Sequence, residues 1–193
     1  KIAVIRQKAV AAEEEGDLKA AVRLYQQYLN YNAGDNEQLG KVAIMAADIA
    51  ADPEATPADQ KKAYRLLSRS LRSMPDRNDL RRKFVDVLVD RRMFSDAQKQ
   101  IIELEKQNVS NDELDFLYAT CSEALGEYDQ ALEWTASLIG YDRDRTEFDI
   151  HLANAPQMLK AYVLFAEVLR RRGTLGRGDE ILADATIEQM VVT

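Results

Sequence analysis

Three alanines, Ala63, Ala97 and Ala131, recur at intervals of 34 residues, each set in nearly the same run of apolar and small side chains. A period of that length marks a helical repeat in which each unit is one helix-turn-helix hairpin. One hairpin of this size leaves its apolar stripe half covered, so neighbouring units must stack in a row to bury it. The expected fold is therefore all-α: a solenoid of about five stacked hairpins, ten main helices, in one domain over residues 1–193.

Composition agrees. Ala, Leu, Glu, Gln, Lys and Arg, all good helix formers, dominate, while eight glycines and four prolines leave few breaks. The best strand-like run, Val85 to Val89, sits inside a longer helical period, so no strand is expected. With 31% charged residues the chain reads as soluble, and no stretch approaches the roughly 18 uninterrupted apolar residues of a membrane span. Cys121 is the one cysteine, so no internal disulfide forms and the choice between cytoplasm and periplasm stays open.

The repeats fall at about 2–35, 36–77, 78–111, 112–145 and 156–192. The first carries Ile5, Ala9 and Ala12, then a Gly16-Asp17 turn, then Leu18, Ala21, Tyr25 and Leu29. Gly16, Gly126 and Gly173 occupy equivalent turn positions, where a left-handed residue closes a helix at no steric cost. Arg92 stands there in the third unit. Two insertions interrupt the period, at about 51–57 and 145–155. The first holds Pro53 and Pro57, with Thr56-Pro57 reading as an N-cap followed by a first-turn proline. In the second, Phe148, Ile150 and Leu152 are expected to fold back over the junction between the fourth and fifth units.

The segments Gly126-Glu-Tyr128-Asp-Gln-Ala131-Leu, Gly16-Asp17-Leu18-Lys-Ala-Ala21-Val and Met93-Phe94-Ser-Asp-Ala97 resemble the turn and second-helix signature of tetratricopeptide repeats. The resemblance covers nearly the whole chain. It departs from the pattern in having the proline that ends the second helix only at Pro75, and in lacking the first-helix tryptophan. The resemblance implies a right-handed superhelix whose first helices line a concave face that holds an extended peptide or a partner helix. On that projection the groove carries Arg6, Val10, Glu13, Glu37, Ile44, Asp48, Arg82, Asp86, Asp90, Glu113, Phe116, Glu123, Lys160, Glu167 and Arg170. Asp48, Asp86, Asp90 and Glu123 would favour a basic or basic-apolar partner, with Phe116 and Ile44 as apolar contacts. The plainer alternative is that these are solvated surface acids.

Family members that bind chaperone tails clamp a C-terminal carboxylate with Lys and Asn. The matching positions here are Gly40, Ile44, Arg82 and Asp86, so no such clamp is expected.

The net charge of −7 hides an asymmetry, since residues 61–83 hold nine Lys/Arg against two acids. An acidic remainder disfavours nucleic acid as a partner. Within the basic stretch Lys61, Arg65, Arg69 and Arg72 share one face of a helix, either as a docking stripe or as a solvated convex surface.

Little else points to chemistry. Cys121 occupies an apolar inner position with no histidine nearby in sequence, and His151 is a lone histidine beside Asp149. The run Asp142 to Asp149 lacks the central glycine of a calcium loop, and there is no phosphate loop, GxSxG or HExxH. We expect no enzyme activity, metal or cofactor, and a protein-interaction scaffold that binds a peptide or partner helix. The alternatives are an accessory domain of a larger enzyme, or a structural tether in a membrane-associated assembly. Lys1 in place of a methionine, and apolar residues at both ends (Ile2, Val4, Ile5; Met190, Val191, Val192), are expected for a piece of a longer protein or for a homo-oligomer joined through uncapped ends.

Overall fold

The computed structural model describes residues 2–139 and 156–173. Along them run α1 (Ile2–Glu14), α2 (Leu18–Tyr31), α3 (Asn36–Ala50), α4 (Pro57–Ser73), α5 (Asn78–Asp90), α6 (Phe94–Lys106), α7 (Asp112–Leu125), α8 (Tyr128–Leu138) and α9 (Pro156–Arg171). No strand occurs among the described residues. The tenth helix expected from the period, the insertion at 145–155 and His151 lie outside them.

By its internal contacts the chain divides into two units, Lys1–Met93 and Phe94–Thr193. In the first, each of α1 to α5 packs on the next, and α3 also touches α5. In the second, α6 packs on α7, α7 on α8 and α8 on α9, and α7 also touches α9. Within each unit the first helices of two successive hairpins, α3 with α5 and α7 with α9, thus lie side by side, as stacked hairpins require.

The core explains the period. Ala21, Ala63, Ala97 and Ala131 are each 0% exposed, so the recurring methyl lies wholly inside the packing. Long apolar side chains fill the space on either side of it: Tyr25 and Leu29 on α2, Leu67 and Leu71 on α4, Ile101 and Leu104 on α6, Leu132 on α8. Helices α7, α8 and α9 contribute one continuous cluster that includes Ala119, Leu132, Ile139, Phe165 and Val168. Gly40 plays a related part on α3. A Cβ there would meet the Met74 Cε at 3.3 Å, with Arg77 and Leu80 just beyond.

The turns repeat one backbone solution. Gly16, Gly126 and Gly173 have φ of +79°, +79° and +89°. After α1, Asp17 N–H donates to Ala12 C=O, and Glu127 N–H does the same to Ser122 C=O after α7. Arg92 adopts φ +56° and Met93 N–H donates to Leu88 C=O, so the third unit makes the same closure without a glycine. A left-handed non-glycine residue costs about 1–2 kcal/mol, which the hydrogen-bonded turn and the packing beyond it must offset.

The first insertion is a short turn-rich loop between α3 and α4. Thr56 ends it as a capping box: Asp59 N–H donates to the Thr56 hydroxyl at 3.2 Å, and Thr56 N–H donates back to the Asp59 carboxylate. Lys19 of α2 lies 3.4 Å from the same carboxylate and ties the start of α4 to the preceding hairpin.

Two stability outcomes follow from this packing. Ala97→Leu should overpack the α6 contact and cost about 1–3 kcal/mol. Thermal unfolding followed by circular dichroism checks it, and a variant as stable as the parent would mean that the alanine does not mark a close contact. Thr56→Ala should cost about 1 kcal/mol while Thr56→Ser stays near the parent, because only the hydroxyl is needed for the cap. Urea midpoints of the two variants make that comparison.

Candidate partner-binding surfaces

The first helices carry the residues that the sequence assigns to a groove. Ile44 and Asp48 lie on α3, the former half-buried and the latter exposed; Arg82, Asp86 and Asp90 lie on α5; Phe116 and Glu123 lie on α7. In the first unit α3 and α5 bring Ile44, Asp48, Asp86 and Asp90 onto neighbouring helices. Phe116 and Glu123 belong to the second unit, beside α9. The Phe116 ring is half-buried and packs against the α7–α9 core, so only part of it faces outward.

Most of these acids are already engaged. Lys83 donates to Asp48 at 2.6 Å, Arg82 pairs with Asp86 one turn away, and Arg171 pairs with Glu123. At the start of the stack Lys41 donates to Glu13 at 2.6 Å, and the Tyr25 hydroxyl donates to the same carboxylate at 2.7 Å. The Lys41 hydrogen bond is the main reason that the Glu13 carboxyl lies below its ordinary range; the Glu13 hydrogen bond raises the Lys41 ammonium in turn.

A pattern runs through three of these pairs. Glu13 on α1 meets Lys41 on α3, Asp48 on α3 meets Lys83 on α5, and Glu123 on α7 meets Arg171 on α9. Each joins an acid on one first helix to a base on the next. Sequence reading missed this ladder because its partners stand 28, 35 and 48 residues apart. A base one repeat downstream of each groove acid is the signal that would have found it.

Asp90 differs. It ends α5, has no ion pair or hydrogen bond with another described residue, and its carboxyl is pushed up first by burial and then by the neighbouring Asp86 charge. A second concentration of acid lies nearby in the same unit. Asp17, Asp48, Asp52 and Glu54 border a depression of about 310 Å³ between the first turn and the α3–α4 loop. A larger one, about 590 Å³, lies between α1 and α2, with Ile2, Arg6, Val10 and Tyr28 in its wall.

Lys61, Arg65, Arg69 and Arg72 are all exposed on α4, opposite the buried Ala63, Leu67 and Leu71. Gly40, one of the four positions matching a carboxylate clamp, is filled by its packing against Met74 and Leu80. Cys121 is fully buried, and burial pushes its thiol up to about 11, which makes it a poor nucleophile. Among the described residues no group of three or more His, Cys, Asp or Glu is placed to hold a metal ion. None of the described helices is long and apolar enough to cross a membrane.

Inside the second unit, Gln98 of α6 donates from one amide nitrogen to the Ser122 hydroxyl at 2.9 Å and to Glu127 at 2.8 Å. This buried polar link fixes α6 on α7, and nothing in the helical period announces it.

Comparison with known proteins bears on both the fold and the family. The tetratricopeptide repeat family model matches residues 48–172. No curated protein sequence matches the chain. Among solved structures, the chain is similar to MamA residues 41 to the end from Desulfovibrio magneticus RS-1, at 12% identity and a TM-score of 0.69, covering 98% of this chain and 96% of that one. A MamA structure from MSR-1 is 16% identical with a TM-score of 0.70, over 100% of this chain and 98% of the other. Another MamA structure is 14% identical with a TM-score of 0.71, over 98% and 92%. At such low identity these likenesses speak to the fold alone, an all-α solenoid of stacked helical hairpins. With its repeating buried alanine, its left-handed turns and a profile match over most of its length, the chain belongs to the tetratricopeptide repeat family, whose hairpins serve as protein-interaction scaffolds.

Proposed function

We propose that the first unit binds a basic, partly apolar segment of a partner protein along the face formed by α3 and α5, with Asp90 and Asp86 as the charged anchor and Ile44 as apolar contact. The observation that carries this reading is the state of Asp90. A carboxylate at a helix C-terminus faces the negative end of the helix dipole, and here, although Asp90 as a whole is exposed, its carboxyl stands one turn from a second acid and is held above the usual aspartate range by burial and then by the Asp86 charge. All three effects oppose its charge. A residue that costs stability where it stands is a candidate for work done on a ligand.

The ion-pair ladder supports the same site by subtraction. Asp48 and Glu123 already face bases on the adjoining helices, so an incoming cation gains less there than at Asp90. Asp86 is shared between Arg82 and the field of Asp90. The acidic depression beside Asp48 extends the favourable potential for a basic segment toward the first turn. Phe116 and Glu123 make the corresponding face of the second unit, which we assign a similar but weaker role.

Titration calorimetry of the whole chain with an amphipathic Lys/Leu peptide tests this reading. Asp86→Lys with Asp90→Lys should weaken binding at least about tenfold, and raising the salt should weaken the parent's binding too. Equal affinity of parent and variant would remove the site. A second measurement needs no ligand. Because the Asp90 carboxyl titrates higher in the folded chain than in the unfolded one, its contribution is most favourable below the unfolded value and falls as pH rises through the folded one. Asp90→Asn should therefore be more stable than the parent at pH 7, and the difference should vanish below the ordinary aspartate range. Paired denaturant curves at the two pH values read it; a destabilised variant at pH 7 would contradict the assignment.

A further inference from the structure

The outer face of α4 carries charge that the rest of its unit does not use. Lys61, Arg65, Arg69 and Arg72 are exposed, and none makes an ion pair or hydrogen bond with another described residue. Elsewhere in the same unit Lys19, Lys41, Arg77, Arg82 and Lys83 each meet a carboxylate. Other bases of the unit also stand without a carboxylate, but these four are the ones that one helix face sets in a row. At 3.6 residues per turn the four positions fall within an arc of about 80° and span about 16 Å along the helix. They form a straight line of positive charge and not a compact pocket.

That geometry selects among anionic partners. Attachment to a lipid surface by basic residues needs either many more cations or an apolar side chain that inserts. The large apolar side chains exposed among the described residues are Ile2, Val4, Val10, Tyr31, Leu125 and Val163, none of them on α4. The chain's net charge of −7 also opposes an anionic bilayer and a nucleic-acid backbone. A line of single charges at helical spacing is complementary to another helix whose carboxylates recur every three or four residues, because such a helix offers them along one face at the same rise.

We infer that the exposed face of α4 docks an acidic helical segment of a partner protein, which lies along the helix and meets Lys61, Arg65, Arg69 and Arg72 with carboxylates in the same register. This surface is separate from the α3–α5 face, so the chain holds a site for a basic segment on its first helices and one for an acidic segment on a second helix. The stripe lies apart from the clamp positions Gly40, Ile44, Arg82 and Asp86, so a terminal carboxylate is not needed for recognition.

The test uses the full chain and a fluorescein-labelled helical peptide with glutamates at positions i, i+4, i+8 and i+11, followed by anisotropy at low and high salt. The parent should bind, and binding should weaken as salt rises. Arg65→Glu with Arg69→Glu should lose at least about tenfold in affinity, and a peptide with lysines at the four positions should bind that variant better than the parent. Arg65→Gln with Arg69→Gln gives the same comparison without new acids, should the reversal perturb folding. Asp86→Lys with Asp90→Lys should leave this binding intact, so failure here and failure of the α3–α5 site are told apart. No binding by the parent, or equal binding by parent and stripe variants, would overturn the inference. So would stripe-dependent sedimentation with phosphatidylserine vesicles in the absence of peptide binding, which would assign the row to a lipid surface.

Discussion

The distance between two packed helices, about 8–10 Å between axes, is set by the side chains at the contact, and small ones allow the closest approach. In this chain Ala21, Ala63, Ala97 and Ala131, on α2, α4, α6 and α8, are small side chains wholly excluded from water. Everything else in the stack is arranged around them. Tyr25, Leu67, Ile101 and Leu132 are buried on the same helices, and within each unit two first helices, α3 with α5 and α7 with α9, lie side by side as a wall. A larger residue at any one of them would separate the hairpin it belongs to and shift the side chains that the wall presents.

The wall is charged but far less reactive than its composition implies. Counting acids along the first helices gives an electronegative surface, yet the ladder from Glu13 to Lys41, from Asp48 to Lys83 and from Glu123 to Arg171 satisfies three of them internally. Exposed pairs of this kind contribute only about 0.2–1 kcal/mol each, so their main effect is on what remains available. Asp90 on one face and the α4 row on another are among the charges without a local counterpart. Specificity in such a protein comes from the few groups that the fold has not already neutralised.

What could be read in the sequence is what depends on periodicity and local chemistry. The 34-residue spacing placed buried alanines, Gly16 and Gly126 marked left-handed turns, and Thr56-Pro57 announced the start of α4 with its capping box. The row on α4 needed only helical spacing to be seen. What stayed hidden depends on pairing across helices: the ladder, the Gln98 link to Ser122 and Glu127, and the inward lean of Phe116. Those contacts join residues on different helices, and one repeat period does not fix which rotamer bridges the gap. Arg92 shows the opposite limit, since its left-handed backbone is dictated by the turn it closes and not by its own preference.

Cys121 gives the chain a built-in reporter. It is the sole thiol, it sits wholly inside α7, and burial raises its proton affinity so far that at pH 8 almost none of it is thiolate. In an unfolded chain the same group would titrate near 8.5 and react readily. Alkylation at that pH therefore proceeds only through excursions that expose the helix, and its rate counts how often the second unit breathes. A guest that clamps α7 against its neighbours would slow that clock without touching the sulfur.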